Sequence, residues 1–240
     1  MLPQRSRVST STSPSTVAAP GGLRALLELR WSCRAFLPEP VPDHVITEMF
    51  GIAQRTASWC NTQPWHVYVT KGEGTRRFAE RLTEHARAHE QVADFAPPAG
   101  YHGVYRDRRR ESGLALYASL GIEKTDAEAR TAQTMRNFDL FGAPHTAVIT
   151  TDRDQGVYGA IDCGGYIANL MNAATALGVA TIPQAAIALH SGLVRDHFLV
   201  PDDRLVVCAV SFGYPDVAHP VNQFRTSRAD LADVVTTVDE

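Results

Sequence analysis

From Cys163 to Ile182 the chain runs for twenty positions without a charged residue. A helix lying on a protein surface keeps a polar face toward water, so a helix drawn from this stretch must be covered on nearly all sides. The cover is either a core or the face of a second subunit. A membrane span is a poor alternative, because Gly164, Gly165, Asn169, Asn172 and Gly178 interrupt the run and much of its apolar content is alanine. Bilayer helices need more sustained hydrophobicity than that. The pattern predicts a buried helix over about 157–177, closed by Gly178 at the position where a helix end favours glycine.

The rest of the chain supplies elements to pack around it. Leu23, Leu26, Leu27 and Leu29 mark a first helix that breaks near Trp31, and Val45, Ile46, Met49, Phe50 and Ala53 mark a second over about 43–57. Strands are expected at Trp65–Thr70, His145–Thr151 and Leu205–Phe212 from their β-branched and aromatic content. Between them lie an amphipathic helix over about 75–91, an Arg-rich helical region ending near Leu120, and a helix opened by a capping box at Thr125–Glu128. Ser191 is placed to cap a short helix ending at Phe198. Long helices among three or four irregularly spaced strands describe an α+β chain, not a doubly wound repeat. One domain over 23–240 is expected, after a Ser-, Thr- and Pro-rich tail at 1–22 that reads as disordered and has no apolar segment of the signal-peptide kind.

Several chemistries are absent. There is no phosphate-binding loop of the G-x-x-x-x-G-K-[ST] type, and no G-x-S-x-G elbow for a nucleophilic serine. Gly72-Glu73-Gly74-Thr75-Arg76-Arg77 lacks the third glycine of a dinucleotide fingerprint. The cysteines at 33, 60, 163 and 208 show no zinc spacing and read as reduced thiols of a cytoplasmic protein. His85 and His89 stand at i, i+4, but no third ligand accompanies them, so no metal site is expected. His66, His145 and His190 read as strand-end or turn residues. A formal net charge of −3 gives no support for nucleic-acid binding. The run Arg106, Arg108, Arg109 and Arg110, broken by Asp107, reads as a solvated helix face.

Three segments carry more polar chemistry than their positions need. Arg30-Trp31-Ser32-Cys33-Arg34 places two guanidiniums and a hydroxyl at alternate positions, a fork for a phosphate if the segment is extended. Arg225-Thr226-Ser227-Arg228 offers a second fork. Ser58-Trp59-Cys60-Asn61-Thr62-Gln63-Pro64-Trp65, between a helix and a strand, gathers hydroxyls, amides and indoles suited to the edges of a planar polar ligand. The same loop, taken alone, reads equally as a turn that satisfies its own backbone.

Together these segments resemble the FMN-dependent nitroreductase family. Its members begin with an R-x-S-x-[RK] segment, matched by Arg30, Ser32 and Arg34. They continue with a P-S-x-x-N-x-Q-P-W loop, matched at Ser58, Asn61, Gln63, Pro64 and Trp65, then a long buried helix with Leu177-Gly178 and Pro183 after it. They close on a basic segment, matched by Arg225 and Arg228. The middle region, with Tyr105, Arg109, Tyr117 and Asn137–Gly142, is most similar to nitrobenzoate-reductase members. The chain departs from the pattern at Ala57, Trp59, Ala185 and Ala186, where the family has Pro, Ser and Glu-Gly.

The resemblance implies a nitroreductase-like fold: a central, mostly antiparallel sheet flanked by helices, in an intertwined homodimer with an extended C-terminal arm. It implies FMN as cofactor and NADPH or NADH as co-substrate, with hydride passed in ping-pong fashion to nitroaromatics or other electron-poor acceptors such as quinones. Arg30, Trp31, Ser32, Arg34, Arg225 and Arg228 would bind the phosphate and ribityl chain. Ser58, Trp59, Asn61 and Gln63 would line the ring from the other subunit, and main-chain groups at Pro183, Gln184, Ala185 and Ala186 would meet its polar edge. Tyr105 and Arg109 are candidate substrate contacts, and no side chain is required as an acid or base. Reductive dehalogenation, flavin cleavage or a non-catalytic flavin carrier are the alternative readings that such a site leaves.

Overall fold

The structure, a computed structural model, describes residues 22–239. The tail reading therefore lies outside the described residues, apart from Gly22, which opens the first helix. Four strands form one sheet: β1 (Trp65–Lys71), β2 (His145–Asp152), β3 (Ala180–Gln184) and β4 (Arg204–Gly213). Their order is β1-β2-β4-β3, with every neighbouring pair antiparallel. Two central strands are thus flanked on both sides, and β2 is buried along nearly its whole length. Its neighbour β4, also central, reads in the sequence as a nearly continuous apolar run, as a strand covered on both faces does.

Helices cover both faces. On one face, α2 (Asp43–Ala53) and α6 (Gly156–Ala176) pack through Met49, Ala53, Tyr166, Leu170 and Ala174 against Ala147, Ile149, Val210 and Phe212. On the other, α3 (Glu73–Ala88), α7 (Ala185–Ala188) and α8 (Ser191–Phe198) bring Phe78, Leu82, Ile187 and Val194 against Val148, Val206 and Ala209. Ala147 and Ile149 face one layer while Val148 faces the other, the period of two expected of a strand. Each large apolar side chain buried in this way contributes about 1.5–3 kcal/mol. The remaining helices are α1 (Gly22–Leu29), α4 (Gly103–Ser119) and α5 (Ala127–Met135). None of the described helices is long and apolar enough to cross a membrane.

The structure corrects several expectations. Helix α2 stops at Ala53, not near 57, because Thr56 turns its hydroxyl back onto the Ala53 carbonyl at 2.7 Å and the chain leaves the helix. The cap of α5 is Asp126, whose carboxylate accepts from the Ala129 N–H at 2.9 Å, so the box starting at Thr125 is not used. Ser191 does not cap α8; its hydroxyl donates to the Val92 carbonyl.

The fourth strand, β3, carries Pro183, which masks it in the sequence. Pro lacks an N–H and is tolerated at a sheet edge, where one side of the strand has no ladder to feed. Beyond that edge the chain comes back once, with the Cys33 N–H donating to the Thr181 carbonyl at 3.0 Å.

Helix α6, which carries most of the charge-free run, is also less enclosed than expected. Within one chain α6 buries Cys163, Tyr166, Ile167, Leu170, Ala173 and Ala174, but Val157, Tyr158 and Ile161 are 65%, 52% and 60% exposed. Its close approach to the sheet depends on Gly159, where any Cβ would collide with the Thr151 hydroxyl.

Candidate functional site

Leaving α1, the chain runs extended through Arg30–Arg34 along the outer side of β3, with Ser32 bridged to Thr181. The C-terminal segment returns to the same place. Asn222, itself buried, accepts from the Arg34 N–H at 2.9 Å and donates to the Ala35 and Asp216 carbonyls, both at 2.8 Å. This one amide ties the two ends of the described chain together. Nothing in the sequence marks it above other asparagines, because its partners are backbone groups far away along the chain.

The result is a cavity of about 810 Å³ lined by Arg30, Trp31, Ser32 and Arg34 from one end, by Phe224, Arg225, Thr226 and Arg228 from the other, and by the inner face of α1. The two arginine forks, separate in sequence, converge as expected. Arg225 lies over the Trp31 ring, 4.4 Å from its centroid, while two carbonyls hold its Nη1, those of Asn222 at 2.8 Å and Phe224 at 2.9 Å. Arg34 lies 5.4 Å from the Phe224 ring centroid and donates to the Ser32 carbonyl. Arg228 is held by Thr226 and Ser227.

Glu28 of α1 is the one carboxylate on the cavity wall. Among the described residues no carboxylate comes within ion-pairing distance of Arg30, Arg34, Arg225 or Arg228. Burial lowers the Arg30 pKa, and the neighbouring Arg228 charge lowers it further. Burial likewise lowers that of Arg34. The indole N–H of Trp31 is buried with no acceptor among the described residues. Crowded guanidiniums and an orphaned donor are stabilised by an anion that carries several acceptor oxygens. No group of His, Cys, Asp and Glu suited to a metal occurs among the described residues. His85 and His89 stack on each other instead, with ring centroids 4.2 Å apart.

The Ser58–Gln63 loop does not line this cavity in the single chain. It forms one 3₁₀ turn (Trp59–Asn61) against the exposed N-terminal half of α6. The Trp59 ring sits edge-on to Tyr158 at 4.2 Å between centroids, and the Trp59 backbone N–H donates to the Asp162 carboxylate, 3.1 Å from the nearer oxygen. Cys60, Asn61 and Gln63 all have positive φ, a strained arrangement for residues with side chains. Part of the polarity is spent internally, since Ser58 Oγ accepts from the Gln63 N–H and the Gln63 amide donates to Asn61. Gln54 completes the loop, donating to Gln63 Oε1 and accepting from the Trp65 indole. The self-satisfied reading therefore holds for Gln63, while Trp59 stays 55% exposed.

Pro183 and Gln184 end β3 and Ala185 and Ala186 begin α7, outside the cavity wall. The Gln184 side chain points into the core, taking the Ser211 hydroxyl at 2.5 Å and donating to the Asn137 carbonyl at 2.8 Å. Arg109 lines a second cavity beside the first, whereas Tyr105 projects from α4 and lines neither.

Fold and site together define an α+β protein with an arginine-lined cavity built from both ends of the chain. A family model described as the nitroreductase family matches residues 27–214, and the chain belongs to that family. It is 35% identical over 228 residues to nitroreductase NfnB of Mycolicibacterium smegmatis, covering 94% of this chain and 97% of that protein. It is 30% identical to a 4-nitrobenzoate reductase of a Nocardioides species, covering 95% and 97%. The crystal structure of the FMN-dependent nitroreductase NfnB from Mycobacterium smegmatis in complex with NADPH superposes with a TM-score of 0.85 at 33% identity, over 90% of this chain and 97% of that one.

Proposed function

We propose that this protein is an FMN-dependent oxidoreductase that moves two electrons from NADPH or NADH to nitroaromatic or related electron-poor acceptors, quinones included. The observation that carries the reading is the cavity itself. Four guanidiniums without carboxylate partners and a buried indole N–H without an acceptor fit the phosphate and ribityl oxygens of FMN. When bound, FMN supplies the hydride chemistry, in two half-reactions that share one site.

The chain's own residues bind, orient and exclude water. Arg30, Ser32, Arg34, Arg225 and Arg228 hold the phosphate end, with Trp31 donating from the wall. Main-chain groups at Pro183, Gln184, Ala185 and Ala186 serve the polar edge of the ring. Ser58, Trp59, Asn61 and Gln63 come from a second copy, so the active unit is a homodimer. Support for this comes from the exposed face of α6, where Val157, Tyr158 and Ile161 lie beside Trp59, an apolar patch of the kind that closes against a symmetry mate. The single catalytic domain spans 23–240, and its cysteines suit the cytoplasm. No residue acts as general acid or base.

An absorbance spectrum of the purified protein, with chromatography of the released cofactor, tests the reading. Bound FMN and steady NAD(P)H oxidation with a nitroaromatic are expected. A colourless protein that takes up no FMN overturns it, as does a flavoprotein that fails to oxidise NAD(P)H whichever acceptor is supplied.

A further inference from the structure

A second cavity, of about 910 Å³, adjoins the first and shares Arg34 and Phe224 with it. One face of α4 lines it through Arg106, Arg109 and Arg110, which recur at helical spacing, and Lys124 and Arg130 complete it from the turn before α5 and from α5. Glu123 is the one carboxylate on the wall. Arg106 is paired with Asp107, but among the described residues Arg109, Arg110 and Arg130 have no carboxylate within 4 Å. Two guanidiniums are set in place by stacking, Arg109 over Tyr101 at 5.2 Å and Arg130 over Tyr117 at 5.3 Å. Ser227 donates to Glu111 at 2.8 Å, fixing α4 to the segment that carries Arg225 and Arg228. The second cavity thus opens directly beside the first, while Arg106, Arg109 and Arg110 keep the exposed helix face that the sequence of α4 describes.

We propose that this second cavity binds the 2′-phosphate of NADPH and sets a preference for NADPH over NADH. The assignment rests on the reductase reading above. Position decides between the two anions that such a reductase meets. The cavity opens beside the phosphate fork and includes none of residues 58–63 or 183–186, which are assigned to the flavin ring. A one-ring acceptor stacked on the flavin would carry its carboxylate beside those ring residues, none of which lines the cavity. A dinucleotide carries its 2′-phosphate a full nucleotide away from the nicotinamide. A phosphate monoester, close to doubly charged at neutral pH, also suits several unpaired guanidiniums better than a single carboxylate does.

The test uses the full flavin-loaded chain. Titration with 2′,5′-ADP and with 5′-ADP should show the 2′-phosphate tightening binding about tenfold or more, the scale of charge-assisted hydrogen bonds to arginine. Steady-state kinetics should show kcat/KM favouring NADPH, and the preference should fall about tenfold in Arg110→Gln/Arg130→Gln. Equal binding of the two nucleotides overturns the proposal. So does a double variant that keeps the NADPH preference but loses activity toward nitrobenzoate relative to nitrobenzene, because the cavity would then serve the acceptor. The nucleotide titration needs neither a variant nor turnover. A protein that binds 2′,5′-ADP selectively yet reduces no acceptor would fail the reductase reading while leaving the phosphate site standing.

Discussion

The guanidinium of Arg225 rests on the indole of Trp31, 4.4 Å from the ring centroid, and so joins the C-terminal segment to the segment that follows the first helix. The stack positions a cation at a cavity where, among the described residues, no carboxylate pairs with it. It covers one ring face, and the N–H of the same indole is buried without an acceptor among the described residues.

Removing that cation by Arg225→Ala should weaken FMN retention. A charge-assisted hydrogen bond to phosphate contributes about 1.5–3 kcal/mol, so the FMN dissociation constant should rise roughly ten- to a hundredfold. Fluorescence titration of the deflavinated protein measures it. An unchanged constant would mean that Arg225 only braces Trp31.

Trp59 is packed on Tyr158 and half exposed beside the apolar face of α6. Trp59→Ser should open the space above the ring and raise kcat/KM for bulky acceptors relative to nitrobenzene by about tenfold, the effect of a few methylene-sized contacts in a pocket. Comparing a quinone series between the two proteins checks this. An identical acceptor ranking would remove Trp59 from the site.

Gln184 links three elements through its buried amide, which meets Ser211 on β4 and the Asn137 carbonyl before β2. Gln184→Leu takes the donor from the half-buried Asn137 carbonyl and leaves the Ser211 hydroxyl only its 3.2 Å contact with Thr146. Denaturant unfolding should show a loss of about 1–3 kcal/mol, the cost of one polar group left unpaired. A loss below about 0.5 kcal/mol, within the usual range for surface changes, would show that water replaces the amide.

His145 is held as the neutral ring. Its Nε2 accepts from the Val41 N–H at 3.0 Å, and Nδ1 lies 3.2 Å from the Thr70 carbonyl, to which a proton there donates. Burial lowers its pKa, the hydrogen bond to the Thr70 carbonyl offsets part of that, and Lys71 lowers and Asp43 raises it by smaller amounts. A folded pKa below the unfolded one means that the unfolded chain binds the proton more readily. The stabilisation is therefore complete above the unfolded value of about 6.5 and is lost as pH falls through the folded pKa. Unfolding midpoints measured from pH 8 to pH 5 should decline. His190 and His197, also lowered by burial, add in the same direction. His145→Gln should flatten part of the decline, and a variant with the wild-type slope would assign the effect to the other histidines.

The helices and three strands are legible in the sequence because each is a local periodic pattern. The arginine forks and the amide-rich loop are legible because they put more donors in a short span than a turn requires. Hidden from that reading are β3, whose Pro183 is allowed only by its place at the sheet edge, and Asn222, whose three partners are backbone groups that only the fold brings near. The Arg-rich face of α4 illustrates the same limit, since its charges are unremarkable until Arg34, Lys124 and Arg130 close around the same space.

For the charge-free run from Cys163, the sequence by itself determined that a helix would form and that water would not be welcome around it. Which side is covered within one chain was decided by the tertiary structure. Gly159 and the small residues of α6 let it settle on β2, leaving Val157, Tyr158 and Ile161 facing outward. Composition states how much surface must be buried, but only the packing of distant elements states against what.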